Sequence, residues 1–416
     1  MQSLGDRRKS ADIVYLHQLI TDTPARSRDC NVYLYRGLKI VGIDFPKTNR
    51  VLYLIWSFFI NTSVTIYLPT GFVLSFVMRI SEFNPSQFLT SLQVAINCWG
   101  CSIKLVAMAF MQQRLRDAEV FMNKLDARCK LPEELHLIRK AAAFGNRTFV
   151  VFAASYWSYS SSTFLTSIVS GIPPYSVYNP LMNWQDSTGA FVLQAFIEYF
   201  LMDFTCFQEV VVDSYPVIYI NVIRTHLQIL AERIRNLGAN NEKLSNEERF
   251  NELVRCVVDH KNILELFNTI SPVISVTIFV QFLIMGCILG FTLINILIFA
   301  DIKAMVASFF YIIAVVVETF PCCYYANCLM DDSDELALAI FHSSWPDEDE
   351  RYKKVIGFFL LHTQKSLVLT AMKLFPITMD SNLNVAKFAF SVYTLLKQMD
   401  FGSTFKSQLD LVVHEE

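Results

Sequence analysis

The chain has 416 residues, of which 53% are hydrophobic and 18% are charged, and its formal net charge is -3. Soluble domains usually carry about 25% charged residues, so this composition is typical of a membrane protein. The net charge provides no overall basic surface for nucleic acid, and the chain contains no P-loop, dinucleotide-binding or zinc-protease motif. We therefore expect neither a soluble enzyme nor a cofactor.

Residues 1–50 are mixed and charged, and they lack the apolar core and small-residue cleavage site of a signal peptide. We expect this segment to be cytosolic and the first spanning helix to target the chain. A hydrocarbon core about 30 Å thick needs about 20 apolar residues per helix, and that rule predicts seven spans. They cover approximately residues 51–78, 88–112, 148–170, 189–222, 271–298, 304–330 and, more weakly, 382–399.

The ten cysteines form two clusters that could suggest chemistry. Cys98 and Cys101 have the spacing of a redox motif but lie inside an apolar run, where packing is the simpler role. Cys322, Cys323 and Cys328 lack the histidine or second cysteine pair that a zinc site needs. We interpret both clusters as structural and expect no metal site.

The connections between the spans differ strongly in basic residues, which predicts the orientation. Of the lysines and arginines, 29 lie in the N-terminal segment and in the connections 113–147, 223–270 and 331–381, whereas three lie on the opposite side. The N-terminus is therefore predicted inside and the tail, residues 400–416, outside. This orientation is the reverse of a G-protein-coupled receptor.

The C-terminal third resembles the insect odorant receptor family. The resemblance lies in "PCCYYANCLMDDSDELALAIFHSSWP" and in "RYKKVIGFFLLHTQKSLVLTAMKLFPITMDSNLNVAKFAFSVYTLL". The matching positions are Cys323, Ser333, Leu336, Ala337, Ala339, Trp345, Gln364, Leu369, Thr370, Ala371, Lys373, Phe375, Pro376, Lys387, Ser391, Leu395 and Leu396. Weaker similarity extends to about residue 88. The chain departs from the family at Leu367, Met372, Phe341 and Val392, and in its longer tail.

The resemblance implies an all-α, polytopic membrane protein with seven transmembrane helices. It also implies a plasma-membrane subunit of olfactory neurons that assembles with a shared co-receptor, as a tetramer around a cation pore. The short connection 113–147 is similar to the ligand-tuning kind of subunit. The implied ligand is a small volatile odorant, and the channel needs no G protein. The implied domains are transmembrane helices in 51–330, a cytosolic anchor in 331–381 and a pore-lining helix in 382–399.

The seventh span carries a polar stripe that needs water or a polar neighbour. Asn384, Lys387, Ser391, Thr394 and Gln398 follow spacings of three and four, which place them on one helical face. The stripe could pack against polar groups within the bundle or line a pore. The resemblance favours the pore, with an apolar constriction next to the polar stripe. The implied pore residues are Ser391, Leu395, Gln398 and Met399.

The resemblance places the ligand site in the part of the transmembrane bundle nearest the extracellular side. In "AASYWSYSSSTF", one predicted helical face carries Ala153, Tyr156, Trp157 and Ser160. Such aromatic stripes are often simple packing, but with hydroxyls they could also hold a small, neutral, mostly apolar volatile. The candidate ligand residues are Leu92, Ile96, Ala153, Tyr156, Trp157, Ser160, Phe196, Phe200, Phe310 and Ile313.

The segment after residue 331 is too charged to be embedded in lipid, and the resemblance implies a cytosolic contact between subunits. Trp345, Gln364, Lys373 and a helix over about 350–368 are the interface candidates, although a solvated amphipathic helix within one subunit would share this pattern. Two other functions stay open. One is a gustatory receptor channel of the same superfamily, and the other is a transporter, which would usually show an internal repeat.

Overall fold

The computed structural model describes residues 26–43, 50–80, 83–239, 245–296 and 302–398. A short 3-10 helix, Ser27–Asn31, precedes ten helices in these ranges. They are α1 (Val32–Val41), α2 (Arg50–Met78), α3 (Pro85–Phe110), α4 (Gln112–Asp126), α5 (Pro132–Ser170), α6 (Thr188–Ala239), α7 (Asn246–Ile294), α8 (Ile302–Phe341), α9 (Glu350–Thr363) and α10 (Met379–Gln398). A short antiparallel hairpin joins α9 to α10, and each of its strands, β1 (Thr370–Ala371) and β2 (Phe375–Pro376), has two residues.

Each of the seven predicted spans falls within or largely within one helix, namely α2, α3, α5, α6, α7, α8 and α10. Five of these helices in the described ranges are long and apolar enough to cross a membrane by length and composition. The other two are α5 and α10, whose apolar parts are interrupted by hydroxyls and by the polar stripe. The fold is all-α, as the sequence predicts.

Helix α6 lies at the centre of the bundle. Its middle, from Val210 to Ile223, is almost continuously buried, because α5 packs along one side of it and α8 along another. Helix α7 packs against α3 and α10. Apolar burial on several sides explains why this stretch reads as a long apolar run rather than as a one-sided stripe.

The end of the bundle that carries residues 171–187 is called here the loop end, and the end that carries the hairpin is called the hairpin end. At the hairpin end, α6, α7 and α8 extend well past their apolar stretches. Helix α6 continues past its predicted span as an amphipathic helix, and its Leu227, Leu230 and Ile234 are buried. It is therefore part of the core and not a free surface helix.

Ion pairs join the helices at the hairpin end. The guanidinium of Arg233 on α6 donates to Glu134 of α5 at 2.6 Å and to Asp259 of α7 at 2.7 Å. Burial alone would raise the pKa of Glu134, but the hydrogen bond and charge of Arg233 hold that pKa below its ordinary value. One arginine thus connects three long helices.

Candidate ligand-binding site and pore helix

A chamber of about 910 Å³ lies at the loop end, between the ends of α2, α3 and α5 and the connection from α5 to α6. This outer chamber is rich in hydroxyl groups. Twelve of its lining residues are serine or threonine: Ser75, Ser86, Thr90, Ser91, Ser155, Ser158, Ser162, Thr163, Thr166, Ser167, Ser170 and Ser176.

Helix α5 supplies a straight row of these hydroxyls. Ser155, Ser158, Ser162, Thr166 and Ser170 recur every three or four residues and so lie on one helical face. Each hydroxyl donates to a carbonyl of its own helix, over distances of 2.8–3.2 Å. Their donors are satisfied, while oxygen lone pairs still face the chamber.

A strap of backbone, residues 173–178, roofs the outer chamber. The carboxylate of Glu198 on α6, which is 1% exposed, accepts hydrogen bonds from three consecutive backbone N–H groups. These belong to Tyr175 at 2.8 Å, Ser176 at 3.1 Å and Val177 at 2.9 Å. The amide of Gln194, one turn earlier, also donates to Glu198 at 2.7 Å. A buried carboxylate therefore holds the strap to α6.

The opposite edge of the strap is held by α2. The Ser75 hydroxyl donates to the Ser176 carbonyl at 2.7 Å, and the Tyr67 hydroxyl donates to the Tyr178 carbonyl at 3.1 Å. A Cβ at Gly71 would lie 2.6 Å from a Val177 methyl, so the strap approaches α2 too closely for a larger residue. Ser176 has a φ of 54°, a strained value for a residue other than glycine.

An inner chamber of about 270 Å³ continues from the outer one toward the middle of the bundle. Val94, Ser155, Ser158, Tyr159 and Tyr311 line both chambers, so the two share a wall. Apolar and sulphur-bearing side chains make up much of the inner lining, together with two carboxylates. Those lining residues include Cys98, Met202, Cys206, Ile313, Val315, Glu209 and Glu318.

A cluster of buried charges lies next to the inner chamber. The ammonium of Lys104 on α3 is 1% exposed and contacts Asp213 of α6 at 2.8 Å and Glu318 of α8 at 3.4 Å. It also donates to the Gln281 side-chain oxygen of α7 at 2.5 Å. Four helices therefore meet at one lysine.

Two neighbouring hydrogen bonds extend this cluster to the chamber wall. The Tyr156 hydroxyl donates to Asp213 at 3.2 Å, and the Asn97 amide donates to Glu209 at 2.7 Å. Tyr156, Asn97 and Glu209 all line the inner chamber. A group bound there would contact residues that belong to the charged core of the bundle.

The structure brings only part of the predicted α5 face to a chamber. Tyr156 lines the inner chamber, Ala153 packs against the core, and Ser160 is fully buried. Trp157 is 61% exposed and lines neither chamber. The lining face is the one that carries Ser155 and its hydroxyl row. Periodicity defines which residues share a face but not which way that face points, and this is why the two differ.

The remaining candidates are spread over the bundle. Ile313 lines the inner chamber, and Ile96 packs against the core, while Leu92 is half-buried. Phe196 and Phe200 of α6 are 53% and 61% exposed and line neither chamber. The side chain of Phe310 lies outside the described part of the structure.

Sequence reasoning missed Lys104 and Glu318, and a signal for them was present. Lys104 is one lysine within an apolar span, and such a charge needs a partner inside the bundle. One such partner is Asp213, an acid within the predicted span of α6. The cysteines Cys98 and Cys101 are buried free thiols on α3.

The polar stripe of α10 lies largely on the outside of the single chain. Asn384, Lys387 and Ser391 are exposed, and Leu395 is 58% exposed. The opposite side of α10 packs against α7 and α8, where Ala389 is 1% exposed. The Gln398 side chain and Met399 lie outside the described part of the structure.

The three interface candidates lie near one another in sequence but differ in burial. Trp345 is half-buried, and its indole N–H donates to the Phe341 carbonyl at 3.2 Å. Gln364 and Lys373 are exposed, and Lys373 has a φ of 59° at the turn of the hairpin. Both exposed side chains are available to a neighbouring subunit.

These features define a polytopic helical membrane receptor with a chamber inside its bundle. The family comparison makes the assignment specific: residues 84–390 match the 7tm Odorant receptor family. The chain is 43% identical to odorant receptor 42a of Drosophila melanogaster over 94% of this chain and 96% of that one. It is 44% identical to odorant receptor 42b over 92% and 96%, and 39% identical to odorant receptor 59b over 92% and 96%. The chain belongs to the insect odorant receptor family.

A solved structure has the same fold. The insect olfactory receptor OR5 from Machilis hrabei, in its complex with eugenol, superposes with a TM-score of 0.72 over 93% of this chain and 100% of that one, at 13% identity. A second structure of that receptor superposes with a TM-score of 0.70 over 88% of this chain and 98% of that one, at 14% identity. The relatives found are receptors, which favours the odorant receptor interpretation over the gustatory and transporter alternatives.

Proposed function

We propose that the chain is the odorant-binding subunit of a heteromeric, ligand-gated, non-selective cation channel in the plasma membrane of olfactory neurons. The inner chamber carries this proposal. It is enclosed by α3, α5, α6 and α8 and is lined by apolar, aromatic and a few polar groups, as small-molecule sites usually are. Its volume of about 270 Å³ suits a small volatile.

The distribution of basic residues supports an orientation for this subunit. Of the 29 basic residues predicted inside, described ones such as Arg128, Arg233 and Arg351 form ion pairs at the hairpin end, so we infer that the loop end is extracellular. An odorant would then reach the outer chamber from outside the cell. The hairpin and α9 would lie in the cytosol, where Trp345, Gln364 and Lys373 contact neighbouring subunits.

The exposure of the α10 stripe supports a pore. A polar face that does not pack within its own subunit needs water or another subunit, and the stripe from Asn384 to Ser391 is such a face. Four such helices around an axis, supplied by this chain and the co-receptor together, would enclose an aqueous path. Leu395 would provide this subunit's part of an apolar constriction, with Met399 and Gln398 beyond it.

Electrical recording with and without a co-receptor tests the proposed function. The chain would be expressed in heterologous cells alone, with the co-receptor, and beside the co-receptor alone, and a panel of neutral volatiles would be applied. We expect odorant-evoked cation current only from the combined subunits. Surface delivery of both subunits without any odorant-evoked current across the panel, or currents that persist without this chain, would contradict the proposal.

A further inference from the structure

The two chambers differ in chemistry. The inner chamber has a mostly apolar wall, whereas the outer chamber is lined by twelve serines and threonines together with Gln87, Gln93 and Gln185. Ligand sites are usually lined mainly by apolar groups. The outer chamber adds a dense set of hydroxyl and amide groups to its apolar lining, and such groups bind ordered water, with enough room for many molecules.

The hydroxyl row of α5 connects the two chambers. It begins at Ser155, which lines both, and continues through Ser162 and Thr166 to Ser170 at the loop end. Fifteen residues of helix at 1.5 Å each give a polar track of about 22 Å. The adjacent residue Trp157 lines neither chamber and is 61% exposed, so it lies off the track on the same helix.

We propose that the outer chamber is an aqueous antechamber through which a small, water-soluble molecule with a hydrogen-bonding oxygen reaches the inner chamber from the extracellular solution rather than from the bilayer. This inference rests on the proposed function, because that function assigns the ligand to the inner chamber. Because the track hydroxyls already donate to carbonyls of their own helix, lipid chains would leave only their acceptor lone pairs unpaired, whereas water or a ligand with a hydrogen-bond donor pairs them.

The strap sets the entrance of this antechamber. Its backbone is held by Glu198 on one side and by Ser75 and Tyr67 on the other. Most of the hydrogen bonds that hold the strap therefore involve side chains of neighbouring helices, and removing one of these side chains loosens the roof without cutting a regular element of secondary structure.

Cysteine accessibility tests the route directly. Ser155→Cys and Ser162→Cys place a thiol in the track, and Trp157→Cys is the matched control on the same helix. The background carries Cys287→Ser, because Cys287 is an exposed native thiol. A charged, membrane-impermeant methanethiosulfonate is applied outside intact cells, and the modified fraction is measured on surface-isolated protein.

We expect the two track thiols to react at least about tenfold faster than the control, because the thiolate that reacts forms in water and not in lipid. Equal rates at all three positions, or modification of the track only by a membrane-permeant reagent, would overturn the antechamber. The readout is labelling and not current, so a negative result here differs from a failure of the proposed channel function.

Loosening the strap tests its part in the proposal. Glu198→Gln keeps an acceptor oxygen but removes the charge, and the modification rate at Ser155→Cys should rise severalfold. If Glu198→Gln does not reach the surface, Ser75→Ala is used instead. It removes one hydrogen bond to the strap, and the modification rate at Ser155→Cys is again compared with and without the change. An unchanged rate in a surface-delivered variant would show that the strap does not restrict entry.

Discussion

At the scale of single residues, the most demanding feature is the ammonium of Lys104 within a helix long and apolar enough to cross a membrane. Burying a charge is costly unless partners compensate it, and Asp213, Glu318 and Gln281 surround this lysine. The lysine therefore holds α3, α6, α7 and α8 together at one point. The lysine also stabilises its partners, because without it the carboxylates of Asp213 and Glu318 would lie close together in the core with no cation between them.

We predict that Lys104→Met prevents most of the protein from folding, since removing one partner of a buried ion pair costs about 3–5 kcal/mol. Surface delivery and thermal stability of the purified complex are the measurements. Adding Asp213→Asn to Lys104→Met should recover part of the loss. Lys124→Met, which removes an exposed lysine of α4, is the matched control, and an equal effect of both lysine variants would contradict a role for burial.

A larger residue in the wall shared by the two chambers should change which odorants activate the receptor. Ser158 lines both chambers, and Ser158→Phe fills volume that a ligand needs, at a cost of about 1–3 kcal/mol. The concentration for half-maximal current should rise about tenfold or more for the larger active odorants. Current evoked by a co-receptor agonist should persist. Trp157→Phe is the control, and a shift as large in that variant would place the ligand elsewhere.

Some of this detail follows from sequence and some does not. Periodicity groups Tyr156 with Ser160, and the structure shows one at the chamber wall and the other fully buried. Which face of a helix meets a cavity depends on its neighbours, and these are set by contacts between residues far apart in the chain. The pairing of Lys104 with Asp213 is such a contact, although the need for a partner can be inferred from the lysine alone.

At the scale of elements, the end of α1 is capped by side chains of α2. Tyr53 donates to the Lys39 carbonyl at 2.9 Å, and the Trp56 indole donates to the Ile40 carbonyl at 2.9 Å. Ser57 and Asn61 donate to the Gly42 and Val41 carbonyls. The last carbonyls of a helix have no partner within it, so these donors explain how a ten-residue helix ends against the first span.

We expect Trp56→Phe and Asn61→Leu each to lower the stability of the assembled protein, because each removes a hydrogen bond that contributes about 0.5–1.5 kcal/mol net. Thermal unfolding of the purified complex, followed by fluorescence-detected size exclusion, measures the loss. Phe58→Leu changes a side chain of α2 that is 74% exposed and donates nothing. If the two donor variants unfold no earlier than Phe58→Leu, capping does not stabilise this junction.

Element boundaries were less predictable than element types. The helix predicted over about 350–368 ends at Thr363. Beyond it, the Ser366 hydroxyl donates to Asp334 at 2.6 Å, and the Leu367 N–H donates to Ser333 at 3.2 Å. These contacts to α8 replace the hydrogen bonds of a further helical turn. They join residues more than thirty positions apart, so no local pattern could have shown them.

At the scale of the whole molecule, the asymmetry of basic residues predicts the orientation. A tag after Glu416 should bind antibody on intact cells, and a tag before Met1 should bind only after permeabilisation, because positive connections stay in the cytosol. A cytosolic marker protein controls for leaky membranes. Labelling of the N-terminal tag on intact cells would reverse the orientation and, with it, the extracellular position of the outer chamber.

The proposed pore would form only in the assembly, yet one exposed face of α10 allows it to be tested in this chain. Leu395 is 58% exposed and continues the side of α10 that carries Ser391. An apolar ring blocks ions by excluding water from the closed path, so Leu395→Ser should let water remain there. We expect basal cation current to rise in the absence of odorant.

The effect should be partial, because in the proposed heteromer the co-receptor would supply the other positions of the ring. Phe390→Ser is the matched control, since Phe390 is an equally exposed apolar side chain of α10 but lies about 140° around the helix from Leu395. Basal current is compared at equal surface expression, with an odorant-evoked current to show that the channel still assembles. If Leu395→Ser changes basal current no more than Phe390→Ser does, the exposed stripe serves contact between subunits and does not line the ion path.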